Sequence, residues 1–372
     1  MTIGVIKEKA PEKRVALLPE AVGELVKAGH KVIVEMGAGE SAFVSDKDYQ
    51  DAGASIESRE SVLKLDLVLG IQPPEGDKTG MGKNQVFIGS VSPLGDKALI
   101  ENLKAEGVSA FSLDIIPRTT RAQAMDVLSS MATVAGYQAV LTAAVMLPKF
   151  FPMFMSAAGT IKPARVLILG AGVAGLQAIA TARKLGAIVE VFDVRSAVKE
   201  EVKSLGGKFI EVEGAKEDAA AGGYAVEQSE EFKVKQQQLI HDRAVAADVI
   251  IATAQIPGRK APVLVKAETI KQMKPGSVII DLAASTGGNC ELTKDDQIID
   301  VNGVTIVGKS NLPSAKPTDS SRMFGKNLLN FLKLMLQKDG TLKLDFADDL
   351  VKGTCITHEG EIVSDRIKQF IS

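Results

Sequence analysis

Short aliphatic runs alternate along this chain with longer segments in which apolar side chains recur every three or four positions. In the first third, 3–6, 31–35, 67–71, 85–88 and 109–113 read as strands, and 20–28 and 97–106 as helices between them. Strands alternating with helices predict βαβ units and a parallel sheet. The segment 77–84, rich in glycine and charge, reads as a surface loop. A second series starts at Ala164, with strands expected over 166–169, 189–193, 208–212, 248–252, 277–282 and 305–307. The fold class is therefore α/β, with two Rossmann-like, doubly wound parallel-sheet domains in tandem. No repeat links the two series at the level of sequence. The first domain is expected to be discontinuous, 1–127 plus 320–372; the second covers 138–319, and 122–147 forms a linking helix. A closing helix over 327–336 and a small hairpin made from 343–346 and 356–363 are expected to return to the first domain and complete it. The longest apolar stretch, 139–159, contains Lys149, Pro148 and Pro152, which predicts a buried helix and a connector, with no direct membrane insertion.

Composition sharpens this picture in three places. A length of 372 residues suits two domains. With 4% aromatic residues and no Trp, the cores must be aliphatic, which suits parallel sheets. A net charge of −2 gives no basic footprint for nucleic acid. Cys290 and Cys355 lie far apart without CxxC spacing, which argues against a disulfide framework or a zinc site, and no metal is expected. The opening residues Met1-Thr2-Ile3 read as a strand rather than a targeting signal.

The strongest motif runs from Val166 through Gly170-Ala171-Gly172-Val173-Ala174-Gly175 into an Ala-rich helix. A GxGxxG alone is weak evidence. Here a strand precedes it, a helix follows, and a second strand ends on an acid, Asp193. Gly170 allows the tight turn, Gly172 lets the backbone approach a pyrophosphate, and Gly175 permits close helix–strand packing. The pyrophosphate would meet the helix N-terminus at Val173 and Ala174. Asp193 would hold the adenosine ribose hydroxyls and repel a 2′-phosphate, favouring NAD(H); Arg195, beyond Val194, pulls the other way because an arginine can accept that phosphate. The loops 252–258 (Thr253, Ala254, Gln255) and 282–289 (from Leu282) follow strands and would line the same crevice. The loop 219–225, with Gly223 and Tyr224, reads either as a lid or as a solvated surface loop. Gly37-Ala38-Gly39 also follows a strand but lacks a helix start and a partner acid, so it reads as a structural turn.

The segment 117–130 is dense in polar groups: Arg118, Arg121, Gln123, Asp126, Ser129 and Ser130. Spacing alone leaves open whether it is a helix start with surface charges or a catalytic loop. Together with the glycine-rich turn, the loop 219–224 and the run from Lys274 through Gly287-Gly288-Asn289-Cys290, this segment resembles the NAD(H)-binding component of proton-translocating transhydrogenase. The resemblance covers nearly the whole chain; alanine dehydrogenases are more distantly similar. It implies direct hydride transfer from NADH held here to NADP⁺ on a separate NADP(H)-binding component, coupled to proton movement by transmembrane subunits. It implies a homodimer, located in the cytoplasm and peripheral on the inner face of the cytoplasmic membrane. It also implies that Arg118, Gln123, Asp126 and Ser129 form the polar loop at the nicotinamide, with Gln123 reaching towards the partner's nucleotide and Asp126 braced by Arg118. Hydride exchange between two nicotinamides needs positioning and dryness rather than a general acid or base. The rival, a freestanding alanine dehydrogenase, needs a proton acceptor; in that family a Lys lies on the strand matching 67–72, which here reads Leu-Val-Leu-Gly-Ile-Gln. His30, His241 and His358, the three histidines, read as structural or solvated. A second rival is a non-enzymatic NAD-binding module, which would have no use for the polar segment.

Overall fold

The computed structural model describes residues 1–74, 79–212, 229–256, 258–337 and 339–371. The chain divides into two units, residues 1–131 with 314–372, and residues 132–313.

The first unit carries an eight-stranded sheet ordered Glu361–Ile362, Cys355–His358, Ser109–Ser112, Val86–Gly89, Leu67–Leu69, Thr2–Val5, Lys31–Glu35, Ser55–Glu57. The six strands from the N-terminal part are parallel, and the two C-terminal strands add antiparallel at the edge. The central strands are buried along their length, as a sheet covered on both faces requires. The sheet is doubly wound: the chain moves outward from Thr2–Val5 in one direction, then starts again at Leu67–Leu69 in the other.

The C-terminal segment completes this unit, as the sequence predicts, but through different pieces. The closing helix spans Pro317–Leu332, starting ten residues before the predicted Asn327. Its first turns carry little apolar signal because they bury polar side chains: Ser320 and Ser321 are fully buried, and the Ser321 hydroxyl accepts the Val15 amide at 2.9 Å. The hairpin is Cys355–His358 with Glu361–Ile362, and residues 343–346 form no strand. There Asp345 accepts the Ala347 amide, and Asp348 caps a short helix, Asp349–Thr354.

The second unit carries a seven-stranded sheet ordered Lys208–Ile210, Ile188–Phe192, Arg165–Leu169, Val249–Ala252, Val278–Asp281, Val304–Val307, Ile298–Val301. All pairs are parallel except the last. The expected α/β class with two doubly wound sheets is thus the observed architecture. Strand Ile298–Val301 lies outside the predicted set because its exposed and half-buried positions alternate at an edge.

The linking helix is Val127–Met146, preceded by a 3₁₀ turn, Thr120–Met125. It is long and apolar enough to cross a membrane, yet one face is core: Ala139, Val140 and Ala143 are fully buried in the second unit. Its other face leaves Val145 exposed, so the helix is half-buried rather than fully buried. The connector beyond it forms an exposed hairpin, Phe154–Ser156 with Gly159–Ile161.

Candidate functional site

Four strands of the second sheet end at one crevice, and the glycine-rich turn sits at its centre. Doubly wound sheets bind ligands at this place, where successive strands depart in opposite directions. Gly170 takes φ +102°, a backbone conformation that side chains disfavour, and its amide donates to the Phe192 carbonyl at 2.8 Å. Gly175 has no room for a side chain: a Cβ there would lie 2.0 Å from the Gly170 carbonyl oxygen. The helix Val173–Lys184 can therefore start against the end of its own strand. Gly172 is the opposite case, since a Cβ there would meet nothing within 4 Å. Gly172 is the N-cap with no side-chain cap, so the first-turn amides of Val173 and Ala174 have no acceptor within the helix. Open space above unfilled donors suits a phosphoryl group.

Asp193 closes one side. Its carboxylate is nearly buried and accepts four hydrogen bonds: the Ala171 amide at 2.7 Å, and the Arg195 amide, Nε and Nη2 at 2.9, 2.9 and 2.7 Å. The acid thus ties the turn to the end of strand Ile188–Phe192 and holds Arg195 as a paired charge. Hydrogen bonding to Asp193 raises the Arg195 pKa. Val194, between them, is half-buried against the core beneath.

The far wall is made by the loops after Val249–Ala252 and Val278–Asp281. The Thr253 hydroxyl donates to the Gly170 carbonyl at 3.1 Å, and the Gln255 side-chain amide donates to the Leu282 carbonyl at 2.8 Å. Two buried residues without a predicted role hold these loops. Asn289 accepts from the Ala254 amide at 2.9 Å and donates to the Ala254 and Pro262 carbonyls at 2.8 and 2.9 Å. Asp281 accepts from Ala283, Cys290 and Thr293 at 3.0, 2.9 and 2.7 Å. Polar residues beside the Gly287-Gly288 pair are the available signal in the sequence. Gly170, Gly172, Val173, Ala174, Gly175, Asp193, Val194, Arg195, Thr253, Ala254, Gln255 and Leu282 are therefore brought together around one crevice. Gly223 and Tyr224 lie outside the described residues.

The polar segment of the first unit has its own geometry. Asp126 stands at the start of Val127–Met146, accepting the Ser129 amide at 3.0 Å and the Ser129 hydroxyl at 2.6 Å. This is helix capping, so Asp126 has a structural task whatever else it does. Arg121 binds Asp348 at 2.8 Å and Asp349 at 2.6 Å, which fastens the segment to the C-terminal helix. The Ala124 carbonyl accepts from Asn327 and Asn330. Arg118 and Gln123 are exposed.

The first sheet has the same kind of crevice, between Thr2–Val5 and Leu67–Leu69, and an internal carboxylate fills it. Glu8 accepts the Ile71 amide at 2.6 Å and the Gln72 amide at 3.2 Å. Burial pushes its pKa up to about 7, against the opposing effect of those two bonds. Nearby, Glu12 and Arg14 form a buried pair at 2.7 Å. The histidines serve packing: His241 bonds Thr269 and His358 bonds Ser109, each at 2.9 Å, and His30 is buried at the amino end of Lys31–Glu35, where burial lowers its pKa.

Fold and crevice define a class: a two-domain, Rossmann-like dehydrogenase architecture with its glycine-rich turn in the second domain. Comparison with known families narrows it. Residues 4–135 match the model for the alanine dehydrogenase/PNT N-terminal domain, and 139–365 that for the C-terminal domain. The chain belongs to this alanine dehydrogenase/PNT family. It is 46% identical to an NAD(P) transhydrogenase subunit alpha polypeptide of Rhodospirillum rubrum, with 98% of each chain covered. A transhydrogenase structure from Sinorhizobium meliloti is 41% identical with a TM-score of 0.90, covering 98% of this chain and 100% of that one. An L-alanine dehydrogenase structure is 27% identical with a TM-score of 0.82, covering 100% and 99%. This kinship supports an oxidoreductase in the NAD(P) transhydrogenase role.

Proposed function

We propose that this chain is the NAD(H)-binding component of a proton-translocating transhydrogenase. The glycine-rich crevice of the second unit is the observation that carries the reading. In this reading Val173 and Ala174 offer amides to the pyrophosphate, and Asp193 faces the adenosine ribose. Arg195 is neutralised by Asp193, which disfavours a 2′-phosphate and hence NADP(H). Bound NADH supplies a hydride for NADP⁺ held on a partner component. Arg118, Gln123, Asp126 and Ser129 orient the dihydronicotinamide and exclude water, while Gly223 and Tyr224 belong to a loop that closes over the nucleotide. No residue here has to take a proton, in keeping with histidines that serve packing. Transmembrane subunits carry the proton movement, and the chain sits peripherally at the cytoplasmic face of the membrane. The exposed apolar hairpin supports a homodimer, because Met153, Phe154 and Met155 are 56%, 46% and 75% exposed.

The test is Gln123→Asn, assayed with a purified NADP(H)-binding component and by NADH titration of the chain alone. Hydride transfer should fall by at least tenfold while NADH affinity changes little. Unchanged rates would remove Gln123 from the site. Reduction of NAD⁺ with alanine by the isolated chain would replace the reading with the dehydrogenase one.

A further inference from the structure

The amino-terminal edge of the second sheet, opposite the nucleotide crevice, carries a concave pocket of about 570 Å³. Lys149, Lys162, Arg165, Lys208 and Lys274 line it, against Glu190 and Asp248: five cations to two carboxylates, an excess of three. The chain as a whole has a net charge of −2, so this concentration is local.

The two signs are not mixed at random. The carboxylates form the floor and the cations the rim. Asp248 and Glu190 side chains are 8% and 11% exposed, whereas Lys149, Arg165, Lys274 and Lys208 are 36%, 46%, 50% and 68% exposed. Each acid is shared. Asp248 binds Lys149 at 3.0 Å and Lys274 at 3.4 Å, and accepts the Arg165 amide at 2.8 Å. Glu190 is reached by Arg243 at 3.3 Å, Lys208 at 3.4 Å and Arg165 at 3.6 Å. One carboxylate cannot neutralise two or three cations, so positive charge remains at the rim. The buried acids also hold long side chains in place, which lowers the entropy cost of gathering them around a ligand. Pro163 and Ile188 supply apolar wall, where charge interactions are less screened. Ammonium groups beside a guanidinium fork suit the oxygens of a phosphoryl group.

We propose that this pocket binds a phosphoryl group, carried by a soluble phosphate compound or by a lipid headgroup. Pyrophosphate is the soluble probe, titrated calorimetrically at fixed ionic strength. The glycine-rich turn is a competing phosphate site, so Gly172→Val, which crowds that turn, is titrated in parallel. Binding should survive Gly172→Val and weaken tenfold or more in Lys149→Gln/Lys274→Gln, a variant in which Asp248 keeps the Arg165 amide. NADH titration of the double variant should match the unsubstituted chain and shows that it is folded. A second arm measures flotation with phosphatidylglycerol vesicles against phosphatidylcholine vesicles. Pyrophosphate binding sensitive to the double substitution assigns a soluble ligand. Charge-dependent flotation with the same sensitivity assigns a headgroup. If neither signal responds to the double substitution, the pocket is a solvated ion-pair network and the proposal is overturned. None of these outcomes depends on hydride transfer, so failure here leaves the transhydrogenase reading to its own test.

Discussion

Single atoms decide the crevice. Gly175→Ala would set a methyl group 2.0 Å from the Gly170 oxygen, so helix and strand must part. Overpacking of this kind costs about 1–3 kcal/mol. The variant should lose stability in urea unfolding and bind NADH at least tenfold more weakly; near-normal binding would show that the turn does not hold the nucleotide. Asn289→Ala removes three side-chain bonds and strands the amide and carbonyl of Ala254. Each unsatisfied buried group costs about 1–3 kcal/mol, and the same unfolding measurement reads it. Glu8 makes stability depend on pH. Burial holds its proton more tightly in the folded chain than in the unfolded one, with a pKa raised from 4.5 to about 7. Its favourable contribution is complete below the ordinary glutamate range and disappears as pH climbs through about 7. Glu8→Gln should flatten the melting temperature between pH 4.5 and about 7, and an unchanged slope would place the dependence elsewhere.

At the scale of elements, the edge strand Cys355–His358 covers Ser109–Ser112, whose far side would otherwise be an open sheet edge. Truncation before Cys355 should expose it and give oligomers in size-exclusion chromatography; a well-behaved monomer or dimer would show that the edge is protected by other means. The central strands are legible in the sequence because their burial is continuous: 31–35 matches the observed bounds, and Ser109–Ser112 differs by one residue. Elements held by polar contacts are not. The start of Pro317–Leu332 buries Ser320 and Ser321, and 3.6-residue periodicity in apolar residues cannot see a serine that packs. The glycine-rich turn is readable because each glycine answers a steric demand. Asn289 and Asp281 are not, because most of their partners are backbone groups that no side-chain pattern records.

At the scale of the molecule, nucleotide binding should be felt mainly in the second unit. Saturation at a hundred times Kd adds about 2.7 kcal/mol of stability. Hydrogen exchange with and without NADH should show protection over 170–176 and 253–255; protection confined to 1–131 would contradict the crevice assignment. The two sheets also differ in a way that sets a count. Both are doubly wound and both reach a point where strands diverge. In the second, the donors at that point face open space; in the first, the amides of Ile71 and Gln72 are already taken by Glu8. The protein supplies its own permanent tenant to one of two similar rooms, so a calorimetric titration with NADH should close at one molecule per polypeptide.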